Sequence, residues 1–287
     1  MKKRVGIVTA WFERGGGYVS RQYREILEPH FDVHVFARRG RKYVANLDEW
    51  TDQRVWWADS YEFPGAMRFS KKEFRKWIER NGIEIVFFNE QRWWQPLLWC
   101  KEWGLTIGSY IDYYTKDDFE LFDIYDFLIC NTKRHFAAFS WHRNAVYVPW
   151  GVDLDLFKPQ HQPSHPSGGQ EQVRFFHSAG MDPARKGTDL LLKAFAKTRK
   201  AGRLIIHTQV DLTTRFPDLK RLVADLVDQG CLTIIQKTTE PPHLYYLGDV
   251  YVYPSRLDGL GLSLPEAVSC GMAVIASNQE PMSEFVN

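Results

Sequence analysis

Short apolar runs rich in β-branched and aromatic residues alternate along this chain with stretches of helical spacing. Runs at 5–10, 31–37, 83–88, 105–111, 126–130 and 145–148 predict buried strands. Between them, 18–27 and 68–80 carry apolar residues at helical intervals, and 92–103 is a second, aromatic helix candidate. The series then restarts. Strands are predicted at 173–178, 203–207, 232–235, 249–253 and 272–277, with amphipathic helices at 188–200 and 218–228. Strands alternating with helices imply parallel sheets in an α/β protein. Two such series imply two similar domains, 1–150 and 151–287, with a cleft between them, and the Pro-, Ser-, Gly- and His-rich segment 160–172 reads as a loop or linker.

Composition narrows the classes. A length of 287 residues is comfortable for two α/β domains, and 44% hydrophobic content supplies full cores. No apolar run approaches the ~18–20 residues of a membrane span. The basic start at Lys2, Lys3 and Arg4 precedes too short an apolar segment for a signal peptide, and a strand explains it better. A net charge of +2 argues against a dedicated nucleic-acid binder. Four scattered cysteines without zinc-ligand spacing read as reduced thiols in a cytoplasmic protein. His161 and His165 have no acidic or thiol neighbour, and the pair Asp117–Asp118 suits a solvated helix start better than a metal.

Candidate chemistry sits where parallel strands end, because ligands of such sheets bind at the carboxyl edge. The residues there are 11–17, Asn89 to Gln91, Asp112 to Tyr114, and Asn131 with Thr132. The last pair suits a helix cap. Asp112 reads either as a site carboxylate or as another cap. Gly15, Gly16 and Gly17 allow close backbone approach to a phosphate, although flexible loops also contain such runs and no G-x-G-x-x-G stands here. In the second series, the strand at 249–253 leads into Gly259 and Gly261. A helix follows from about Leu264 to Gly271, with Ser263 and Glu266 spaced as a capping box. A helix start after a glycine turn is an anion site, and the adjacent cations Arg185 and Lys186 suit a diphosphate. The basic, Trp-bearing helices at 68–103 fit either an anionic membrane surface or a core-facing stripe with a solvated back.

The run Arg185-Lys-Gly-Thr-Asp-Leu-Leu-Leu-Lys-Ala-Phe195, then Tyr253-Pro-Ser255, Asp258-x7-Glu266 and Cys270-Gly-Met-Ala-Val-Ile-Ala-Ser277, resembles retaining glycosyltransferases of family 4. Residues 148–159 resemble that family's interdomain crossing, and 15–17 its first acceptor-domain loop. The resemblance implies a GT-B fold of two Rossmann-like domains facing a central cleft. It also implies a UDP- or GDP-type sugar donor, no metal or other cofactor, and a carbohydrate or lipid-linked acceptor in glycan or glycolipid synthesis. Carried over by position, Lys186 binds the donor phosphates, Gly259, Leu260, Gly261 and Leu262 present amides to sugar and diphosphate, and Gly16 and Gly17 close over the phosphates. Asp258 contacts the transferred sugar, and Glu266 the ribose. Asp258, Asp112 and Lys186 form the implied catalytic set.

Departures from the family pattern are specific. Asp258 replaces a glutamate, Met181 stands where an arginine is usual with Arg185 four positions on, and Asp112 takes the place of an acceptor-side histidine. Glu280-Pro281 precede Glu284 in place of Gly-Gly, and the chain ends at Asn287, earlier than members of the family, so a truncated C-terminus is implied. These departures keep open the reading of a non-catalytic nucleotide-sugar or partner-binding module, and a sugar-nucleotide epimerase, also built on this fold, is a third reading. The expected location is cytoplasmic, with peripheral contact at the inner membrane face.

Overall fold

The structure, a computed structural model, describes residues 2–63, 66–159, 172–198 and 202–286. The chain forms two compact units, Met1–Pro149 and Trp150–Asn287. The first runs β1 (Arg4–Ala10), α1 (Gly15–Leu27), β2 (Asp32–Arg39), β3 (Val55–Trp57), β4 (Ser60–Phe63), β5 (Ala66–Phe69), α2 (Lys71–Asn81), β6 (Ile85–Phe88), α3 (Gln95–Glu102), β7 (Thr106–Ile111), β8 (Phe127–Cys130), α4 (Lys133–Ala138) and β9 (Ala145–Tyr147). Its sheet has seven parallel strands in the order β3-β2-β1-β6-β7-β8-β9, and β4 and β5 form a separate antiparallel hairpin. Helices on both faces explain why β1 is buried continuously from Val5 to Ala10, without alternation.

Aromatic packing accounts for the tryptophans. α2 is capped by Ser70 Oγ, which accepts from Glu73 N at 3.4 Å, and it stops at Gly82 in the left-handed region at φ +58°. Its stripe of Phe74, Trp77 and Ile78 is buried against Phe36 and Phe69. Trp77 reaches the sheet because β1 carries Gly6, where a Cβ would lie 2.3 Å from the indole. Trp93, Trp99 and Trp103 continue the same core. The core-facing alternative for 68–103 is therefore the one observed, and basic residues stay on the outside, with Lys71 and Arg75 over the Trp103 ring. No helix among the described residues is long and apolar enough to cross a membrane.

The second unit runs β10 (Val173–Gly180), α5 (Thr188–Thr198), β11 (Gly202–Thr208), α6 (Leu212–Arg215), α7 (Lys220–Asp228), β12 (Leu232–Gln236), β13 (Val250–Tyr253), α8 (Ser263–Ser269) and β14 (Ala273–Ala276). Its five strands are parallel in the order β12-β11-β10-β13-β14. Leu191, Leu192 and Phe195 of α5 and Val223 and Leu226 of α7 close one face. The opposite face packs Phe176, Tyr251 and Tyr253 under Leu264 and Ala267 of α8. Both units are Rossmann-like, and in each the strand order reverses beside the first strand, between β1 and β6 and between β10 and β13.

Three sequence expectations change. The triple glycine is no loop: it forms the first turn of α1, which starts at Gly15 rather than Tyr18. A Cβ on Gly17 would lie 2.0 Å from Phe12 O, so that turn closes only with glycine there. The Ser263–Glu266 capping box does not form, since α8 has no side-chain cap and Glu266 is bonded elsewhere. Arg68 belongs to β5, not to the helix that follows. Most of the loop expected at 160–172, with His161 and His165, lies outside the described residues, as does the helix end at 199–200.

Candidate active site

In the second unit the loops after β10 and β13 meet at the crevice where the strand order reverses. Gly187, at φ +72°, carries the first loop across Pro254, whose carbonyl oxygen would lie 2.0 Å from any Cβ there. The second loop is tied to the first by Arg256 N donating to Arg185 O at 2.9 Å, with Ser255 Oγ 3.3 Å from the same oxygen. Arg256 also forms a bidentate pair with Asp189 at 2.7 and 2.8 Å. Behind the loops His177 is buried, with Nδ1 2.8 Å from Val252 O and Nε2 2.8 Å from Thr188 Oγ1, so it links β10, β13 and the start of α5.

That frame makes Asp258 the centre of a cluster. Lys186 Nζ lies 3.0 Å from each carboxylate oxygen, and Arg185 Nη1 donates to Oδ1 at 2.7 Å. Ser255 Oγ donates to Oδ2 at 2.7 Å, and the Tyr253 hydroxyl donates to it as well. The Lys186 ammonium also bonds the Tyr253 hydroxyl and lies 4.6 Å from that ring's centroid. Burial alone would raise the Asp258 carboxyl, but the Lys186 and Arg185 charges outweigh it and, with the two hydroxyl donors, hold it at about 2. Burial lowers Lys186, and Asp258 only partly offsets this.

Glu266 stands on the first turn of α8 and accepts from the Tyr245 hydroxyl at 2.6 Å. Its carboxyl is pushed up to about 7 by burial, with Tyr245 and Lys186 pulling the other way. One buried acid is thus held ionised and the other close to neutral. Gly259, Leu260, Gly261 and Leu262 form the turn between them, with Gly261 in the left-handed region at φ +68°. Met181 is exposed, and Arg185 takes up Asp258 instead of filling that position.

The first unit has its own constellation at the β1–β6 crevice. Arg14, following β1, pairs with both oxygens of Glu90 at 3.1 and 2.8 Å. The Glu90 carboxylate packs on Gly16, where a Cβ would sit 2.8 Å from it. Glu90 has φ +49°, a strained setting for a side-chain-bearing residue. Arg38 stabilises that backbone by donating to the carbonyls of Asn89 and Glu90 at 2.8 and 2.7 Å, and Asn89 Nδ2 reaches Gly16 O at 2.6 Å. Asp112 lines the same cavity, with its carboxyl raised to about 7 by burial and by the Glu90 charge. Asn131 and Thr132 are structural: Thr132 caps α4 through His135 N at 3.1 Å, and Asn131 accepts from Tyr23 Oη at 2.9 Å.

The structure therefore joins Arg185, Lys186 and Asp258, and separately joins Gly16, Glu90 and Asp112. Sequence reasoning gave no role to Tyr245, Tyr253, Ser255, Arg38 or Arg39. Tyr253 and Ser255 were legible as the polar end of an apolar strand, and Arg38 and Arg39 as charges closing β2.

Comparison with known proteins decides the class of the second unit. A family model described as Glycosyl transferases group 1 matches residues 172–287. Those residues are a group 1 glycosyl transferase domain. The chain is 29% identical over 187 residues to a GDP-mannose-dependent alpha-(1-6)-phosphatidylinositol monomannoside mannosyltransferase of Mycobacterium tuberculosis, covering 57% of this chain and 46% of that one. It is 30% identical over 173 residues to a D-inositol 3-phosphate glycosyltransferase of Pseudarthrobacter chlorophenolicus, covering 55% and 41%. The chain thus spans less than half the length of these two relatives. Among solved structures, a glycosyltransferase from Rickettsia africae aligns with a TM-score of 0.75 at 16% identity, covering all of this chain and 82% of that one. Anabaena HepE in complex with UDP and glucose aligns at 0.73 and 16%, covering all of this chain and 83% of that one. The fold around the group 1 glycosyl transferase domain is GT-B.

Proposed function

We propose that this chain transfers a sugar from a nucleoside-diphosphate-sugar donor to an acceptor hydroxyl, with retention of anomeric configuration and without a metal. The observation that supports this most is the Lys186–Arg185–Asp258 cluster at the reversal crevice of a group 1 glycosyl transferase domain. A diphosphate approaching this crevice offers Lys186 and Arg185 oxygens that compete with Asp258. As the cations turn to the diphosphate, Asp258 is released to accept from hydroxyls of the donor sugar. Charge building on the departing diphosphate is then met by the two cations and by the amides of Gly259 to Leu262, fixed before the reaction begins. Glu266, close to neutral, suits the ribose hydroxyls, because a carboxyl can both donate and accept. The acceptor hydroxyl attacks from the face the leaving group vacates.

Asp112, whose carboxyl lines the cavity, suits proton handling at an acceptor, with Gly16 and Gly17 holding the α1 turn against Glu90. A lipid-linked acceptor fits the name of the mycobacterial relative. Any peripheral contact with an anionic membrane falls to the basic outer side of α2, since its aromatic stripe is buried.

The test is turnover of UDP- and GDP-sugars by Lys186→Ala. Loss of one preorganised donor to the leaving group is expected to lower turnover by about 10²–10³-fold, or ~3–4 kcal/mol. Unchanged turnover of a cognate donor would remove Lys186 from the assignment. One observation favours the non-catalytic module: Asp258 already engages both cations nearest it, leaving one net positive charge for a ligand. Tight nucleotide binding with neither transfer nor slow donor hydrolysis would establish that reading, and an epimerase would convert the donor without releasing diphosphate.

A further inference from the structure

Six charged side chains line a cavity of about 220 Å³ in the first unit: Arg14, Arg38, Arg39 and Arg92 against Glu90 and Asp112. We infer that this cavity is a subsite for a phosphate ester on the acceptor, an assignment that rests on the sugar-transfer reading above. Arg14 is taken up by Glu90. Arg38, 7% exposed, uses one terminal nitrogen for the Asn89 and Glu90 carbonyls, while its buried Nε has no partner. The Nε of Arg39 and the Oε1 of Gln91, another lining residue, are likewise buried without one. Arg92 is exposed at the rim, its guanidinium 4.7 Å from the Tyr113 ring centroid.

Counted by charge, three guanidiniums remain for one carboxylate once the Arg14–Glu90 pair is set aside. Asp112 loses part of its charge to burial and to Glu90, which enlarges the positive excess near neutral pH. A neutral sugar gains nothing from such an excess, and a cationic amino sugar is repelled. Planar guanidiniums with open N–H groups match the tetrahedral oxygens of a phosphate. The volume is below the ~300–1,000 Å³ of ordinary ligand pockets, which limits the occupant to a phosphate with a small polyol beside it.

The chemistry is shared by a free polyol phosphate and by a phospholipid headgroup, so the experiment separates them. Calorimetric titration of the full chain with glycerol 3-phosphate, glycerol and galactosamine is run beside flotation with phosphatidylcholine vesicles, with and without phosphatidylinositol. Binding of glycerol 3-phosphate alone supports the subsite with a free ester as its ligand. Binding only to phosphatidylinositol vesicles supports it with a lipid source. In either case Arg92→Gln, an exposed substitution that leaves the core intact, is expected to weaken binding about 10–100-fold, the effect of one charge-assisted hydrogen bond. Lys186→Gln, in the other unit, is expected to leave it unchanged.

No binding of either ester, preference for galactosamine, or binding lost in Lys186→Gln and kept in Arg92→Gln would overturn the subsite. UDP and GDP titrations are read separately. If neither nucleotide binds while the ester still does, the sugar-transfer reading fails and the anion site stands.

Discussion

Glu266→Gln offers the sharpest quantitative test of the second unit. The glutamate carboxyl moves from 4.5 to about 7 on folding, chiefly through burial. Between those values the folded state binds a proton that the unfolded chain has released, so stability falls as pH rises through this window. At about 1.4 kcal/mol per unit, a rise of 4.5 to about 7 makes ionised Glu266 a cost of about 3 kcal/mol above pH 7 and none below pH 4.5. Glutamine keeps an acceptor for the Tyr245 hydroxyl without the charge. The variant is therefore expected to match the native chain at about pH 4 and to exceed it by up to about 3 kcal/mol at about pH 8.

The readout has to be local. Ten of the eleven tryptophans lie in the first unit, with Trp150 the exception, so indole fluorescence follows the wrong half of the chain. Hydrogen exchange of peptides from β13 and α8 reports the relevant unit. Taking native minus variant at each pH cancels the other titrating groups, including Asp112. A stability difference independent of pH, or of opposite sign, would refute the assignment of a near-neutral Glu266. If the stability gain comes with weaker nucleotide binding, the residue is retained for ligand contact at a cost to the fold.

Asp258→Asn should leave Lys186 and Arg185 without their shared counter-charge. UDP or GDP binding is expected to tighten about tenfold while sugar transfer falls, measured by calorimetry and by product formation; unchanged nucleotide affinity would show that the cations do not face the diphosphate. Gly187→Ala forces a side chain into the left-handed region and against the Pro254 carbonyl, so a loss of about 2 kcal/mol or more is expected in chemical unfolding of the second unit. Thr132→Ala removes the α4 cap and should cost the first unit about 1 kcal/mol, with nucleotide affinity unaltered.

The strand runs were legible because strands buried on both faces leave unbroken apolar sequences, as Val5 to Ala10 and Val250 to Tyr253 do. β3 and the β4–β5 hairpin were not. They are three and four residues long, too short for either period to register. The Gly15–Gly17 turn was misread because glycine is a poor helix former in isolation, and only the approach of Phe12 O shows why a helix starts there. At Glu266 the sequence spacing of a capping box lost to a tyrosine 21 residues away, a partner that local pattern cannot supply. Arg185, Lys186 and Asp258 stood out through type and position, whereas Arg38 and Arg39 showed only as charges closing β2. They matter only because the sheet sets β2 beside β1 and sends their charges toward residues that follow β6 and β7.

The binding of the 184–187 loop to the 254–258 loop has a kinetic consequence. The backbone bond from Arg256 N to Arg185 O, the Arg256 contact with Ala184 O and the seat of Gly187 on Pro254 join the two loops into one body. An incoming diphosphate then cannot part Lys186 from Asp258 by spreading the loops. Exchange of partners is left to rotation of the Lys186 and Arg185 side chains, a local rearrangement that needs no loop opening on the microsecond to millisecond scale. Rapid-mixing traces of nucleotide capture should thus be a single phase whose rate climbs linearly with nucleotide concentration, with no plateau set by a prior opening step.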